Sequence, residues 1–151
     1  MSPTFYQSAI KNVDFGIDVK VVEPVNIYGC SIGDQCFIGP FVEIQKDVKI
    51  GKRTKVQSQT FVCELVSIVD DCFIGHRIMF INDLFQKGRP AQGDRSLWMS
   101  TKIGNQVSVG SNATILPVDI CDQVVIGAGA TKNITQAGVY AGNPAKLIKV
   151  L

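Results

Sequence analysis

Four polar residues could carry out acid–base chemistry, and the spacing of three of them could place those three side by side. Glu64 and Asn82 are 18 residues apart, Asp83 follows directly, and His76 is the only histidine. Two carboxylates and an amide could hold an amine and its neighbouring hydroxyl groups. His76 could accept the proton of an ammonium ion near neutral pH. The competing interpretations are a solvated polar face for the first three residues and a corner or subunit-contact role for His76.

The elements that would position these residues follow a six-residue repeat between Ile32 and Asn82. The fifth place of each unit is small or β-branched, and the first place is apolar throughout: Ile32, Ile38, Ile44, Ile50, Val56, Val62, Ile68, Ile74 and Phe80. This period fits neither an α-helix nor a long two-faced strand, but it is typical of a parallel β-helix. Three units should form one coil, so that residues 18 apart stack at about 4.8 Å.

This register predicts where the polar residues project. Glu64 and Asn82 both occupy third places on adjacent coils, so they should share one face beside Asp83. His76 occupies the third place of a different unit of the coil and should project from another face.

The repeat is imperfect in three places. Residues 1–25 predict one irregular opening coil, and residues 83–100 interrupt the array with a segment that contains the only tryptophan. A non-repeating segment of this length, with apolar and aromatic residues, predicts a covering loop rather than disorder. The unit that begins at Ile115 is one residue short, which predicts a tightened corner near Pro117. Residues 147–151 should form a short strand or cap, after about six coils in all.

Composition narrows the classes of function. The net charge is +2 and the basic residues are scattered, so neither a nucleic-acid surface nor a membrane surface is indicated. No apolar run has the length of a membrane span and no leader pattern is visible, so we expect one cytoplasmic domain over residues 1–151. The five cysteines form no C-x-x-C pair and should fill volume in a reducing compartment. One histidine cannot supply three imidazole ligands to zinc, so we expect no metal.

The I-G-x-x-x-x array, the central loop and the closing A-G-N-P-A-K together resemble the left-handed β-helix acyltransferases. V-C-E followed by G-H-x-x-M-F-I-N-D is most similar to the sugar-nucleotide N-acetyltransferases of that family. The resemblance implies an all-β, left-handed parallel β-helix with a protruding loop at about 83–101 and a short C-terminal exit segment. One departure is Gln59, where we expect histidine in many relatives.

The same resemblance implies a function. It is transfer of acetyl from acetyl-CoA to the 3-amino group of a nucleotide-linked 3-amino-3,6-dideoxyhexose, with dTDP favoured, by homotrimers with sites between subunits. The implied catalytic residues are His76, Asn82 and Asp83. The acceptor would contact Glu64, Asn82, Asp83 and Arg89. Arg89 and Arg95 could bind the nucleotide diphosphate through paired donors, or they could be solvated loop charges.

Coenzyme A is implied on the last coils. Acyl transfer needs a donor to the developing oxyanion, and a backbone N–H at Gly110 or Gly129 is a candidate. The resemblance places the pantetheine arm near Ser111, Ala128 and Gly129, with Lys132 and Lys146 near the phosphates. For each of these residues a coil-turn glycine or a surface lysine is an equal alternative.

Three alternatives remain open from the sequence. A small neutral fraction of amine could attack the thioester without an enzymic base, with Asn82 and Asp83 only aligning it. The acceptor could be a hydroxyl group, in which case His76 would be indispensable because a hydroxyl is a poor nucleophile at neutral pH. The chain could also be a non-catalytic trimeric scaffold, since a fold alone does not define a function.

Overall fold

The computed structural model describes residues 2–127, 129 and 132–151, and short strands wind through them as a parallel β-helix. The first three coils contain β1 (Ile10–Lys11), β2 (Asp14–Phe15), β3 (Lys20–Val21), β4 (Asn26–Tyr28), β5 (Ser31–Ile32), β6 (Phe37–Ile38), β7 (Glu43–Ile44), β8 (Lys49–Ile50) and β9 (Lys55–Val56). The next three contain β10 (Phe61–Val62), β11 (Val66–Ile68), β12 (Phe73–Ile74), β13 (Met79–Phe80), β14 (Thr101–Ile103), β15 (Ser108–Val109), β16 (Thr114–Ile115), β17 (Asp119–Ile120) and β18 (Val124–Ile126). The chain ends with β19 (Gly138–Ala141) and β20 (Lys146–Val150).

From β1 to β18, every third strand joins the same sheet, which gives the coil three sides. Sheet A is β1-β4-β7-β10-β13-β16, sheet B is β2-β5-β8-β11-β14-β17, and sheet C is β3-β6-β9-β12-β15-β18-β19-β20. All pairs are parallel except β19 with β20. In the regular part, Phe61 pairs with Met79, 18 residues later, as the repeat predicts. The predicted all-β, left-handed parallel β-helix is therefore confirmed.

The core is a narrow column of the first and fifth places of the repeat. The first places from Ile32 to Phe80 are at most 3% exposed, and the fifth places are equally buried: Cys36, Val42, Val48, Thr54, Thr60, Val66, Cys72 and Ile78. The threonine hydroxyls in this column are satisfied. Thr60 Oγ1, for example, donates to Gly75 O at 2.8 Å and accepts the Ile78 N–H at 3.2 Å. All five cysteines are unpaired, and four of them are buried.

The corners are as periodic as the core. The fourth place of each unit from Gln35 to Arg77 has a positive φ, between 55° and 71°, although none of these residues is glycine. This left-handed backbone turns the chain sharply between one side of the coil and the next. At the corner that follows sheet C, Gly75 allows close stacking, because a Cβ there would lie 2.7 Å from Val109 O. The equivalent Gly127 has its nearest neighbour at 3.5 Å.

The irregular regions follow the sequence expectations. The opening coil is formed by β1, β2 and β3, and six coils are complete at β18. A seventh coil follows, in which Ile134 bridges to Ile120 of sheet B and β19 joins sheet C. The shortened unit after Ile115 lies at the corner between sheets A and B. The loop leaves from the same corner, covers residues 81–100, and contains one 3-10 turn at Arg95–Leu97. No helix in the described part of the chain is long and apolar enough to cross a bilayer.

Candidate active site

The corner between sheets A and B brings three polar residues into one column at the base of the loop. Lys46, Glu64 and Asn82 occupy third places on successive coils, each 18 residues from the next. Asn82 Nδ2 donates to the backbone oxygen of Glu64 at 3.3 Å, so the stacking that the spacing predicts is present. The column therefore presents an ammonium, a carboxylate and an amide along one edge of the coil.

Glu64 is the buried member of this column. Its residue exposure is 9%, and Oε2 accepts no hydrogen bond within the described residues. Arg95 Nη2 lies 3.1 Å from Oε2, close enough for an ion pair but without hydrogen-bond geometry. Lys46 Nζ lies 3.9 Å from Oε1. A buried carboxylate oxygen without a donor is costly, so this position favours a ligand that can donate to it.

A second layer lies one and two coils earlier along the same face. Gln45 Oε1 accepts the Glu64 backbone N–H at 3.3 Å, and Gln45 Nε2 donates to Glu43 Oε1 at 3.1 Å. Burial, and then the charges of Glu43 and Glu64, raise the pKa of the half-buried Tyr28. Tyr28 therefore remains a phenol that can donate a hydrogen bond. The sequence pattern did not single out Tyr28 and Gln45. Their place just before the corner of each unit could have indicated that they lie on the same face as Glu64.

Asp83 organises the loop. Its Oδ1 accepts the Phe85 N–H and its Oδ2 accepts the Ala91 N–H, both at 2.8 Å. Asp83 also forms an isolated antiparallel bridge with Trp98, and the Met99 N–H donates to Asn82 O at 2.9 Å. Both carboxylate oxygens therefore stabilise the loop by accepting backbone N–H groups. The predicted contact of Asp83 with an acceptor stays a prediction.

The loop places the guanidinium of Arg95 beside Glu64. Asp94 caps the 3-10 turn by accepting the Ser96 N–H at 3.1 Å, and this turn places Arg95 over the corner. Arg95 Nη2 donates to Asp47 Oδ2 at 2.6 Å, and the guanidinium carbon lies 6.0 Å from the Trp98 ring centroid. The hydrogen bond from Arg95 lowers the pKa of Asp47. Arg95 is thus committed to Asp47 and Glu64.

Arg89, the loop arginine predicted to bind the acceptor, has a different environment. It is exposed, and it takes part in none of the hydrogen bonds or ion pairs within the described residues. The structure therefore does not bring Arg89 to Glu64. Its predicted role in acceptor binding stays a prediction.

His76 lies at the corner between sheets C and A, on a different edge from Glu64, as its place in the repeat predicts. The ring is exposed, and its Nδ1 lies 2.8 Å from Ser58 Oγ. The His76 backbone N–H donates to Ser111 Oγ at 3.2 Å. If Nδ1 carries the proton and donates to Ser58, Nε2 is left as the basic nitrogen. Gln59, which stands where relatives were expected to have histidine, accepts from Arg77 Nε at 2.6 Å.

The predicted coenzyme A residues follow the same edge toward the C-terminus. The Gly110 N–H donates to Ile126 O at 2.6 Å, so it is committed to the coil ladder. The predicted roles of Gly110 in oxyanion stabilisation and coenzyme A binding stay predictions. Gly129 is buried, and a Cβ there would lie 2.8 Å from Thr114 O. Lys132 and Lys146 are both exposed, and Ala128 lies outside the described residues. No group of three or more potential metal ligands occurs within the described residues.

Two segments of the chain match models of hexapeptide-repeat transferases. Residues 29–63 match "bacterial transferase hexapeptide (six repeats)", and residues 100–131 match "hexapeptide repeat of succinyl-transferase". Over these two segments the chain is similar to hexapeptide-repeat transferases, and its three-sided β-helix fits that repeat.

Individual relatives are about 30% identical to this chain, or less, over the regions that match. A probable macrolide acetyltransferase from Lysinibacillus sphaericus is 31% identical over 121 residues, which are 78% of this chain and 61% of that relative. The bifunctional protein GlmU of Streptococcus uberis is 29% identical over 158 residues, with 95% of this chain and 34% of the relative covered. The chain thus spans 61% or less of the length of these relatives. A variant of AntD, an N-acyltransferase from Bacillus cereus crystallised with dTDP and coenzyme A, shares the fold. Its TM-score is 0.71 at 18% identity, covering 91% of this chain and 83% of AntD.

Proposed function

We propose that this chain transfers an acetyl group from acetyl-CoA to the 3-amino group of a nucleotide-linked 3-amino-3,6-dideoxyhexose, with dTDP as the favoured nucleotide. The buried Glu64 carboxylate carries the proposal, because Oε2 has no hydrogen-bond donor within the described residues and an ammonium group could supply one. Asn82 stacks beside it and could contact a neighbouring hydroxyl group. The description of AntD as an N-acyltransferase with bound dTDP and coenzyme A supports the same pairing of substrates.

The proposed site lies between subunits of a homotrimer. Glu64 and His76 lie on different edges of one coil, so a single chain does not bring them together. Threefold packing would place the His76 edge of one subunit against the Glu64 edge of its neighbour. Coenzyme A would then lie along the His76 edge toward Ser111, Gly129, Lys132 and Lys146.

The reaction we propose is a direct attack. The amine nitrogen bonds to the thioester carbonyl carbon, the carbon–sulfur bond breaks as the tetrahedral intermediate collapses, and the thiolate of coenzyme A leaves. His76 accepts the proton that the amine loses and can return it to the thiolate, so the charges balance. Ser58 keeps the His76 ring oriented through the contact at Nδ1. Positioning by Glu64 and Asn82 supplies the remaining advantage over reaction in solution.

A hydroxyl acceptor is the second candidate, and a specific observation favours it. The relative at 31% identity is named as a macrolide acetyltransferase, and macrolides carry hydroxyl groups. The two candidates make different demands on His76. A hydroxyl acceptor requires the base at every pH, whereas an amine supplies more of its own neutral form as the pH rises.

The test is a free-thiol release assay with acetyl-CoA and a panel of dTDP- and UDP-linked 3-amino and 4-amino sugars, with hydroxyl acceptors included. For an amine acceptor, His76→Asn should lower kcat near neutral pH and recover activity toward higher pH. Loss of all turnover across the pH range, with substrate binding intact, would favour the hydroxyl acceptor. Absence of thiol release with every acceptor, from well-folded protein, would favour the scaffold.

The location between subunits has its own test. His76→Asn and Glu64→Gln chains are co-expressed in equal amounts, so that they assemble into trimers at random and most trimers contain both kinds of chain. A site built from two subunits then regains activity wherever an intact His76 edge faces an intact Glu64 edge, which is about one quarter of the interfaces in random trimers. A site within one chain regains nothing. Mixing the two purified homotrimers without exchange of subunits is the control.

A further inference from the structure

The outer face of sheet C carries a groove that the proposed chemistry does not use. Its volume is about 980 Å³, which is within the range of small-molecule sites. The groove lies over the first three coils, on the side of His76 that faces the N-terminus. Its polar and aromatic lining comprises Asp18, Lys20, Gln35, Phe37, Lys55 and Gln57.

The centre of the groove is a ladder of three outward side chains on adjacent strands. Lys20 on β3 pairs with Phe37 on β6, and Phe37 pairs with Lys55 on β9. Two strand spacings separate the backbones of the lysines by about 9–10 Å. An aromatic ring therefore lies between two ammonium groups that can approach the same ligand from both sides.

Both lysines are uncommitted within the described residues, whereas other cations nearby are paired. Lys52 Nζ lies 2.9 Å from Asp34 Oδ2, and Arg53 Nε donates to Asp71 Oδ1 at 2.6 Å. No hydrogen bond or ion pair of the described residues involves the ammonium of Lys20 or Lys55. Since Asp18 is the single carboxylate in the lining, two cations and one anion give the groove a net charge of +1.

This combination recognises an anion joined to a flat ring. The lysines would hold phosphate oxygens as point charges, Phe37 would stack against a base, and Gln35 or Gln57 could bond to its polar edge. Gln57 directly precedes Ser58, whose hydroxyl contacts the His76 ring. A ligand in the groove would therefore end beside the proposed base. Arg95 of the loop is less suitable, because it is engaged by Asp47 and Glu64.

We infer that the groove formed by Lys20, Phe37 and Lys55 binds a nucleoside diphosphate. The inference rests on the proposed function only for the source of that group, which would be the nucleotide of the acceptor. The ADP portion of coenzyme A has the same chemistry and is the second source. Binding itself needs neither acetyl transfer nor an amino sugar.

The experiment is calorimetric titration of the full-length protein with dTDP, UDP, and 3′-phospho-ADP, without acetyl-CoA. The test variant is Lys20→Gln with Lys55→Gln. Losing two charged contacts should weaken dTDP binding by about 10- to 100-fold and reduce its dependence on salt. Phe37→Leu should also weaken dTDP binding, and it should remove the preference for a nucleotide over inorganic pyrophosphate. Thermal unfolding of each variant separates loss of binding from loss of folding.

Sheet B provides a matched control. Lys49 and Lys102 lie on either side of Ser67 in the same three-strand ladder geometry, but without an aromatic residue between them. Lys49→Gln with Lys102→Gln removes the same charge and should leave dTDP affinity unchanged. Unchanged dTDP affinity in the sheet C variant, equal weakening in both variants, or absence of nucleotide binding to the unmodified chain would each overturn the inference.

The remaining arms separate the inference from the proposed function. Tighter binding of dTDP or UDP assigns the groove to the acceptor, and tighter binding of 3′-phospho-ADP assigns it to coenzyme A. If nucleotide binding depends on Lys20 and Lys55 but no amino sugar is turned over, the result supports the groove as a nucleotide site and contradicts the proposed function. Turnover with an unchanged acceptor KM and an unchanged coenzyme A KM in the sheet C variant contradicts the groove alone.

Discussion

Replacing Asp83 with asparagine should loosen the loop of residues 81–100 without weakening the β-helix. The two carboxylate oxygens of Asp83 accept the N–H groups of Phe85 and Ala91, both at 2.8 Å. Asparagine keeps one acceptor oxygen and replaces the other with an NH₂ group, which can only donate. One of the two N–H groups is therefore left without its acceptor.

The magnitude follows from the charge and burial of this contact. A hydrogen bond to a charged group contributes about 1.5–3 kcal/mol when shielded, and Asp83 is half-buried, so we expect a loss of about 1–2 kcal/mol. Such a loss raises the equilibrium constant for local opening by about 5- to 30-fold. The strands of the core contribute none of these contacts, so global unfolding should change little.

Hydrogen exchange followed by mass spectrometry measures this local opening of the loop. The peptide that spans residues 84–92 should exchange about 5- to 30-fold faster in Asp83→Asn, whereas residues 73–80 of the core should not change. Asp94→Asn makes the same chemical change within the same loop. Since Asp94 accepts from Ser96 instead, and through Oδ1 alone, any effect of that variant should be confined to residues 95–97 and leave 84–92 unaltered.

Unchanged exchange of residues 84–92 in Asp83→Asn would refute the structural account of this residue. A higher acceptor KM with unchanged exchange would instead support the direct acceptor contact predicted from the sequence. Both readouts come from the same variant, so the two roles are distinguishable.

Three further predictions concern stability and charge. Burial raises the pKa of the Cys63 thiol from 9.0 to about 12, so its contribution to stability is complete below pH 9 and is lost as the pH rises toward 12. In Cys63→Ala, the fall in unfolding free energy between pH 8 and pH 10 should be smaller by about 1 kcal/mol; an equal fall in both proteins contradicts this. Gly75→Ala should lower the unfolding midpoint in denaturant far more than Gly127→Ala, because only the former puts a Cβ within 2.7 Å of the next coil's backbone. In Arg95→Gln, titration followed by NMR should show a higher Asp47 pKa, since the hydrogen bond from Arg95 lowers it; an unchanged pKa would mean that this contact is absent in solution.

The coil was predictable from the sequence because each place of the repeat has a single environment. First places such as Ile44 and fifth places such as Val42 point into a column too narrow for anything else, and a slip by one residue would expose them all. The same register predicted that Glu64 and Asn82 stack and that His76 lies on another edge. These placements follow from backbone geometry alone.

The loop was not predictable in this way. Arg95 contacts Asp47, 48 residues away, through a turn that depends on one capping residue and on packing beside Trp98. No period connects these positions, so the sequence suggested Arg89 and Arg95 equally. The hydrogen bond from the Gly110 N–H to Ile126 O, in contrast, follows from the ladder spacing of the repeat.

The reversal of chain direction at β20 determines how copies of this protein can meet end to end. Parallel stacking continues past β17 in sheet B, where Ile134 bridges to Ile120, but in sheet C the outer strand is β20, which runs antiparallel to β19. A second copy stacked on this end would need parallel hydrogen-bond spacing in sheets A and B and antiparallel spacing in sheet C at once. Lys146 and Lys149 add charge along that outer strand. A coil that would otherwise template its own continuation is therefore protected against growth into a filament.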